Sequence, residues 1–195
     1  LGFVHGVMNT DNTSIAGETL DYGPCAFLDG FDPDRTFSSI DHGGRYAYQN
    51  QPSIALRDLA GLGETLLPLI DADTTRAIAA AMAVLEKFST RFGAAYAAEM
   101  SRKLGLATPR DGDDALAQGL FTCMAEQRAD FTLCFRRLAD VAAGADASVL
   151  TALFADPAAL LRWLESWRAR VLDEAAAPAE RAAAMRAVNP AFIPR

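Results

Sequence analysis

Apolar and polar residues alternate in two different ways along this chain, and the change falls at Pro52. Before it, apolar residues come in short runs, Leu1-Gly2-Phe3-Val4 and Ala26-Phe27-Leu28, separated by Gly, Asp and Asn. Those separators favour turns and left-handed backbone, so the pattern predicts short strands joined by loops. From Pro52 onward the spacing becomes helical. Ile54, Leu59, Leu62, Leu66 and Leu69 predict a helix with proline in its first turn. Asp73 is the expected cap of the next, whose stripe runs Ile78, Met82, Leu85, Phe88, Phe92, Tyr96, Met100, Leu104. This reads as one helix of about thirty residues that Gly93 bends or interrupts.

Thr108 to Gly112 (TPRDG) reads as a break. After it, Asp113 or Asp114 would cap a helix carrying Leu116, Leu120 and Met124. Asp130 would cap one carrying Phe131, Cys134, Phe135, Leu138 and Val141. Asp156-Pro157 opens a helix with Leu160, Leu164, Trp167 and Val171. A last helix is expected over Ala179–Ala187, before Asn189-Pro190. The apolar stripes are expected to form core. The fold class is therefore mainly α: short β-strands first, then a helical bundle.

Composition narrows the function. With 195 residues, 51% of them apolar, the chain can bury a sizeable core and is not disordered as a whole. A net charge of −7 and a pI near 4.8 argue against binding nucleic acid through its phosphates. A nucleotide held by a metal ion remains compatible, because carboxylates attract the cation. Cys25, Cys123 and Cys134 form no CxxC pair, and His5 and His42 are the only histidines, which speaks against a zinc site. Reduced, mostly buried thiols of a cytoplasmic protein are the expectation. No apolar run of about 18 residues predicts a membrane span, and the first ten residues lack the pattern of a signal peptide. We therefore expect a cytoplasmic location, with no nucleic-acid or membrane partner.

The candidate chemistry lies in HGVMNTDN, His5 to Asn12. Laid on the protein-kinase catalytic loop H-R-D-L-x-x-x-N, it puts His5 on the histidine, Gly6 on the arginine, Val7 on the aspartate, Met8 on the leucine and Asn12 on the metal-binding asparagine. Nine residues after Asn12, Asp21-Tyr22-Gly23 takes the place of D-F-G. Asn12 and Asp21 offer the hard oxygen atoms that magnesium takes alongside phosphates and water. Gly17, between Ser14-Ile15 and Thr19-Leu20, suits a short hairpin carrying both toward one point.

Val7 cannot accept a proton, and loss of a positioned general base costs roughly 10²–10⁴-fold in rate. Asp11 is the nearest carboxylate that can take over; a turn aspartate bonding local amides is the equal alternative. His5 is expected to hold the loop rather than to act as acid or base. DGFDPD, Asp29 to Asp34, lacks the glycine placement and final glutamate of a calcium loop. Arg45, Asn50 and Gln51 can bind substrate, but anchoring the loop to the first helix is the favoured role.

GFVHGVMNTDNTSIAGETLDYGPCAFLD, then FDPD, then DHGGRYAYQNQP, resembles the selenoprotein O family, also called the YdiU family. The likeness is dense from Gly2 to Pro52 and looser through the helices. It implies a protein-kinase-like fold with a reversed ATP, and transfer of AMP to Ser, Thr or Tyr hydroxyls of proteins (AMPylation) with release of pyrophosphate. By that resemblance Asp11 corresponds to the proton acceptor, and Asn12 and Asp21 to ligands of Mg²⁺ (or Mn²⁺), with Asp21 beside the ATP phosphates. Residues 1–51 would be the catalytic loop, metal-binding DYG segment and activation-loop-like region, and 52–195 the helical C-lobe. The family's N-lobe and C-terminal tail fall outside this chain, so the activity is expected of the parent protein and not of these residues alone. The alternative is a non-catalytic pseudokinase scaffold for protein partners.

Overall fold

The computed structural model describes residues 2–18 and 20–193. Its chain divides into two compact units: residues 3–26 with 33–95, and Gly2 with 27–32 and 96–195. It is mainly helical, as the periodicity predicts, with one two-stranded sheet among the described residues.

β1 (Phe3–Val4) and β2 (Ala26–Phe27) form the two-stranded sheet. A single 3₁₀ turn, Thr10–Asn12, lies between them. The expected turn about Gly17 forms, with φ +76° and its N–H bonded to the Ser14 carbonyl. Thr13, just before it, sits in a β-bridge; no longer strand flanks the turn among the described residues, and Thr19 lies outside them. A second 3₁₀ turn, Tyr48–Asn50, runs directly into α1 (Gln51–Ile70), with Pro52 in the first turn where no intrahelical N–H bond is lost. α2 (Thr74–Leu85) starts as expected from Asp73, whose carboxylate accepts the Arg76 N–H at 3.0 Å.

Two expectations fail in this unit. The thirty-residue helix is two helices, α2 and α3 (Lys87–Leu104), and the interruption is at Glu86 rather than Gly93. Glu86 has ψ −24°, a 3₁₀-like value that tightens the end of α2. The stripes of α1 and α2 are also not core. The one buried residue of α1 is Asp58 and of α2 Ala77, whereas Leu69 is 82% and Val84 66% exposed. Two paired helices cover one side of each other only, which leaves an apolar groove of about 640 Å³ lined by Leu62, Leu66, Val84, Leu85 and Phe88.

The second unit holds the packed core. Its helices are the end of α3, α4 (Asp113–Gln127), α5 (Phe131–Ala142), the short α6 (Ser148–Thr151), α7 (Ala158–Leu172) and α8 (Pro178–Val188). Phe31, Phe121, Phe131 and Phe135 cluster with ring centroids 5.1–6.4 Å apart. Leu138, Leu160, Leu164 and Met185 are fully buried, each worth about 1.5–3 kcal/mol. The buried indoles also satisfy their N–H groups: Trp167 donates to the Leu104 carbonyl and Trp163 to that of Leu116. Asp130 caps α5 through the Leu133 N–H at 2.8 Å, as expected.

Asp113 departs from its expected role. Gly112 takes the capping position, and Asp113 pairs instead with Arg170 at 2.7 Å, while Arg170 also reaches Glu174. α6, at four residues, is too short to leave a periodic trace in the sequence. No helix among the described residues is long and apolar enough to cross a membrane.

Candidate functional site

The kinase-like residues lie in the first unit, on the loop that follows β1 and the segment that precedes β2. Asn12 ends the Thr10–Asn12 turn, which is closed by its own N–H bonding the Asn9 carbonyl at 2.9 Å. Its side-chain Nδ2 faces the Val7 carbonyl at 3.4 Å, and its Oδ1 makes no hydrogen bond among the described residues. The valine that displaces the kinase aspartate thus still serves the loop, through its backbone. It turns the Asn12 amide so that the oxygen, the atom a hard cation takes, is left over.

Gly6 brings the second segment to the first. Its φ is +86°, and a Cβ at this position would stand 2.2 Å from the Pro24 carbonyl oxygen. Only glycine permits that approach. Pro24 follows Asp21-Tyr22-Gly23 and sits in a tight turn closed by the Cys25 N–H on the Gly23 carbonyl at 2.8 Å. The catalytic-loop segment and the DYG segment are therefore in backbone contact. The Asp21 carboxylate folds over Gly23, with Oδ2 3.3 Å from where a Cβ of that glycine would lie. Asp21 is exposed and makes no side-chain hydrogen bond or ion pair among the described residues.

Asp11 is likewise exposed, and its carboxylate bonds no backbone amide among the described residues. The turn-aspartate pattern therefore does not form here. His5 contributes to the loop through its backbone: its N–H donates to Gln51 Oε1 at 3.0 Å, while its Nδ1 is buried without a partner among the described residues. Gln51 completes the contact by donating Nε2 to the Phe3 carbonyl at 3.0 Å. Its amide thus pairs with the loop as a neighbouring strand would. Asn50 donates to the Gly44 carbonyl at 2.8 Å. Both residues anchor, the role favoured from sequence, while the Arg45 guanidinium lies over the Tyr46 ring.

Three contributors were not singled out in the sequence. The Tyr46 hydroxyl donates to Asn9 Oδ1, and the buried Asp58 accepts from the Thr13 hydroxyl at 3.1 Å. Asp41 accepts the N–H groups of Arg45 and Tyr46 at 2.8 and 2.9 Å, which fixes the segment carrying that tyrosine. A tyrosine 37 residues from its partner Asn9 and an aspartate 45 from Thr13 carry no local signal. The Gly-Arg-Tyr string alone hinted at a structured loop.

Among the described residues, no group of three or more His, Cys, Asp or Glu side chains converges as a metal cage. Magnesium held with a nucleotide takes only one or two protein oxygens, the rest coming from phosphates and water. Asn12 Oδ1 and the Asp21 carboxylate are candidates of that kind, and neither is engaged by another group among the described residues.

An asparagine oxygen and a carboxylate thus lie on two touching loops, with Val7 where the kinase pattern has its aspartate. The profile of the family described as protein adenylyltransferase SelO matches residues 1–195, and the chain belongs to this family. It is similar to the protein nucleotidyltransferases YdiU of Bradyrhizobium sp. (strain BTAi1), at 58% identity over 195 residues, and of Rhodopseudomonas palustris (strain BisB18), also at 58%. That of Methylorubrum extorquens (strain PA1) is 57% identical over 202 residues. Each comparison covers 100% of this chain, and the chain spans about 40% of those relatives' length.

Proposed function

We propose that the parent protein transfers AMP from Mg-ATP to Ser, Thr or Tyr hydroxyls of proteins, on a protein-kinase-like C-lobe to which this chain contributes the catalytic and metal loops. The observation that carries the reading is the state of the two ligand candidates among the described residues: Asn12 is turned by the Val7 carbonyl to leave its oxygen unengaged, and the Asp21 carboxylate makes no hydrogen bond or ion pair. A pure scaffold has no physical use for such a pair. The family membership supports nucleotidyl rather than phosphoryl transfer.

In this reading, Asn12 and Asp21 hold the metal, which when bound supplies charge neutralisation at the phosphates. Asp11 accepts the proton of the acceptor hydroxyl as its oxygen bonds the α-phosphorus. The bond between the α- and β-phosphates breaks, and pyrophosphate leaves with the electron pair. Exposure of Asp11 fits an approach by a protein hydroxyl from solvent. Val7 then marks a change of base, not a loss of activity. Binding in the bacterial cytoplasm to protein substrates and a nucleotide, without nucleic acid or membrane, completes the proposal.

The test is intact-mass and peptide mass spectrometry of the full-length protein and a bacterial extract after incubation with Mg-ATP, with Asp21→Ala in parallel. AMP on hydroxyl residues, lost in the variant, is expected. Added phosphate in its place would return the site to kinase chemistry. Absence of any adduct together with absence of ATP binding would favour a pseudokinase scaffold.

A further inference from the structure

The 3₁₀ turn that carries Asp11 and Asn12 is three residues long and has no side-chain cap. One turn fixes several dihedral angles for one or two hydrogen bonds, so in isolation it does not persist. Its shape must be imposed from outside, and the structure shows where. Asn9, immediately before the turn, receives the Tyr46 hydroxyl on its Oδ1. Thr13, immediately after it, has its hydroxyl 3.1 Å from both the Asn9 carbonyl and Asp58 Oδ2. Asp58 is 7% exposed, and this is the one hydrogen bond its carboxylate makes among the described residues. Burying a carboxylate for a single neutral partner is unfavourable for the fold alone. Such a residue makes sense where it fixes a geometry.

We propose that Tyr46 and Asp58 are positioning residues that brace the two ends of the Thr10–Asn12 turn and so set the direction of the Asn12 amide oxygen. The brace is built from rigid parts. Asp58 lies seven residues after Gln51 on α1, two turns along and on the same face. Gln51 grips the beginning of the loop through His5 and Phe3, so α1 holds the loop at both ends. Thr10 lies beside Gly61 on the next turn, its Cγ2 at an ordinary contact distance of 3.7 Å from where a Cβ would stand. Tyr46 is itself held by Asp41, and its ring is buried, so the phenol reaches Asn9 with little freedom left to lose. With both braces in place, Nδ2 of Asn12 meets the Val7 carbonyl and Oδ1 has no partner among the described residues. Without them, the amide can rotate and present its donor, which repels a cation.

This inference rests on the proposed metal role of Asn12, and two readouts on the full-length protein separate the claims. The first is hydrogen exchange at residues 9–13 without metal. The second is Mn²⁺ binding, followed by electron paramagnetic resonance with an α,β-methylene ATP analogue. Tyr46→Phe removes one hydroxyl and keeps the ring; Asp58→Ala removes the acceptor; Asp58→Asn keeps an acceptor oxygen for Thr13.

Tyr46→Phe and Asp58→Ala are each expected to speed exchange at 9–13 and weaken Mn²⁺ about three- to tenfold, the range that loss of one hydrogen bond gives. KM for the acceptor protein should not move, and Asp58→Asn should restore most of the loss. Unchanged exchange overturns the brace. Faster exchange with unchanged Mn²⁺ affinity overturns the positioning role and leaves a structural one. An Asp58→Asn variant as weak as Asp58→Ala also overturns it, because charge rather than the hydrogen bond would then matter. Failure of the unaltered protein to bind Mn²⁺ would overturn the metal assignment itself, with the exchange data still reporting on the brace.

Discussion

Gly6→Ala is the substitution for which the structure gives the sharpest expectation. An alanine there faces two penalties. The left-handed backbone at φ +86° costs an L-residue about 1–2 kcal/mol. The new methyl would then stand 2.2 Å from the Pro24 carbonyl oxygen, and it must retreat to at least 3.0 Å. The atom in the way is backbone, which cannot swing aside, so the catalytic-loop and DYG segments must separate by close to that difference. A misplacement of about 1 Å in a reacting constellation can cost ~10²-fold in rate.

The matching control is Gly144→Ala, where φ is +99° but nothing lies within 4 Å of the new methyl. Both variants should lose about 1–2 kcal/mol of stability in denaturant titration from the backbone term. Only Gly6→Ala should also lose kcat/KM for AMP transfer, by about 10²-fold, with a higher Mg²⁺ requirement. Activity of Gly6→Ala within threefold of the unaltered protein would refute the reasoning, as would an equal loss in Gly144→Ala.

The second unit offers stability tests. Arg170→Ala strands Asp113 and Glu174, whose side chains are 10% and 2% exposed, and should cost about 3–5 kcal/mol in urea or guanidinium unfolding. Burial pushes both carboxyls up, but Arg170 and the neighbouring backbone amides outweigh it and hold them below their ordinary values. Their contribution is therefore present above about pH 4 and lost as pH falls through the lowered values. The acid-unfolding midpoint of Arg170→Ala should accordingly move to higher pH. Lys103→Met should act in the opposite sense. Burial lowers the Lys103 ammonium from 10.5 to about 8, which corresponds to about 3 kcal/mol against the charged fold, and the contact with Phe135 at 4.5 Å returns about 1–2. The variant should be about 1–2 kcal/mol more stable at pH 7 by thermal or urea unfolding. The unaltered protein should gain on it as pH rises from about 8 to 10.4, where folded and then unfolded lysine lose their protons.

Much of the helical half was legible because its signals are local. Asp130 before Phe131, Pro52 in a first turn and Pro178 near the expected Ala179 start each declare a helix end through the chemistry of one or two residues. The break at Glu86 was not, since its neighbours keep the apolar spacing running from Leu85 to Phe88 and only the backbone shows the tightened turn. Asp113 looked like a cap for the same reason that it is not one: its position is local, but its partner Arg170 is far along the chain.

For the site, the sequence by itself determined the atom types and their order: Asp11, Asn12 and Asp21 on loop-forming stretches, and a valine where a kinase base would stand. Which atoms are left unengaged was decided by tertiary structure alone. The Asn12 oxygen is left over because its amide nitrogen meets a carbonyl, the loops touch because Gly6 yields to Pro24, and the turn is braced by Tyr46 and Asp58. Hydrogen-bond direction and steric clearance are properties of groups brought together by folding, and neighbours in sequence do not encode them. A motif can name candidate ligands, but only the packing around it aims them.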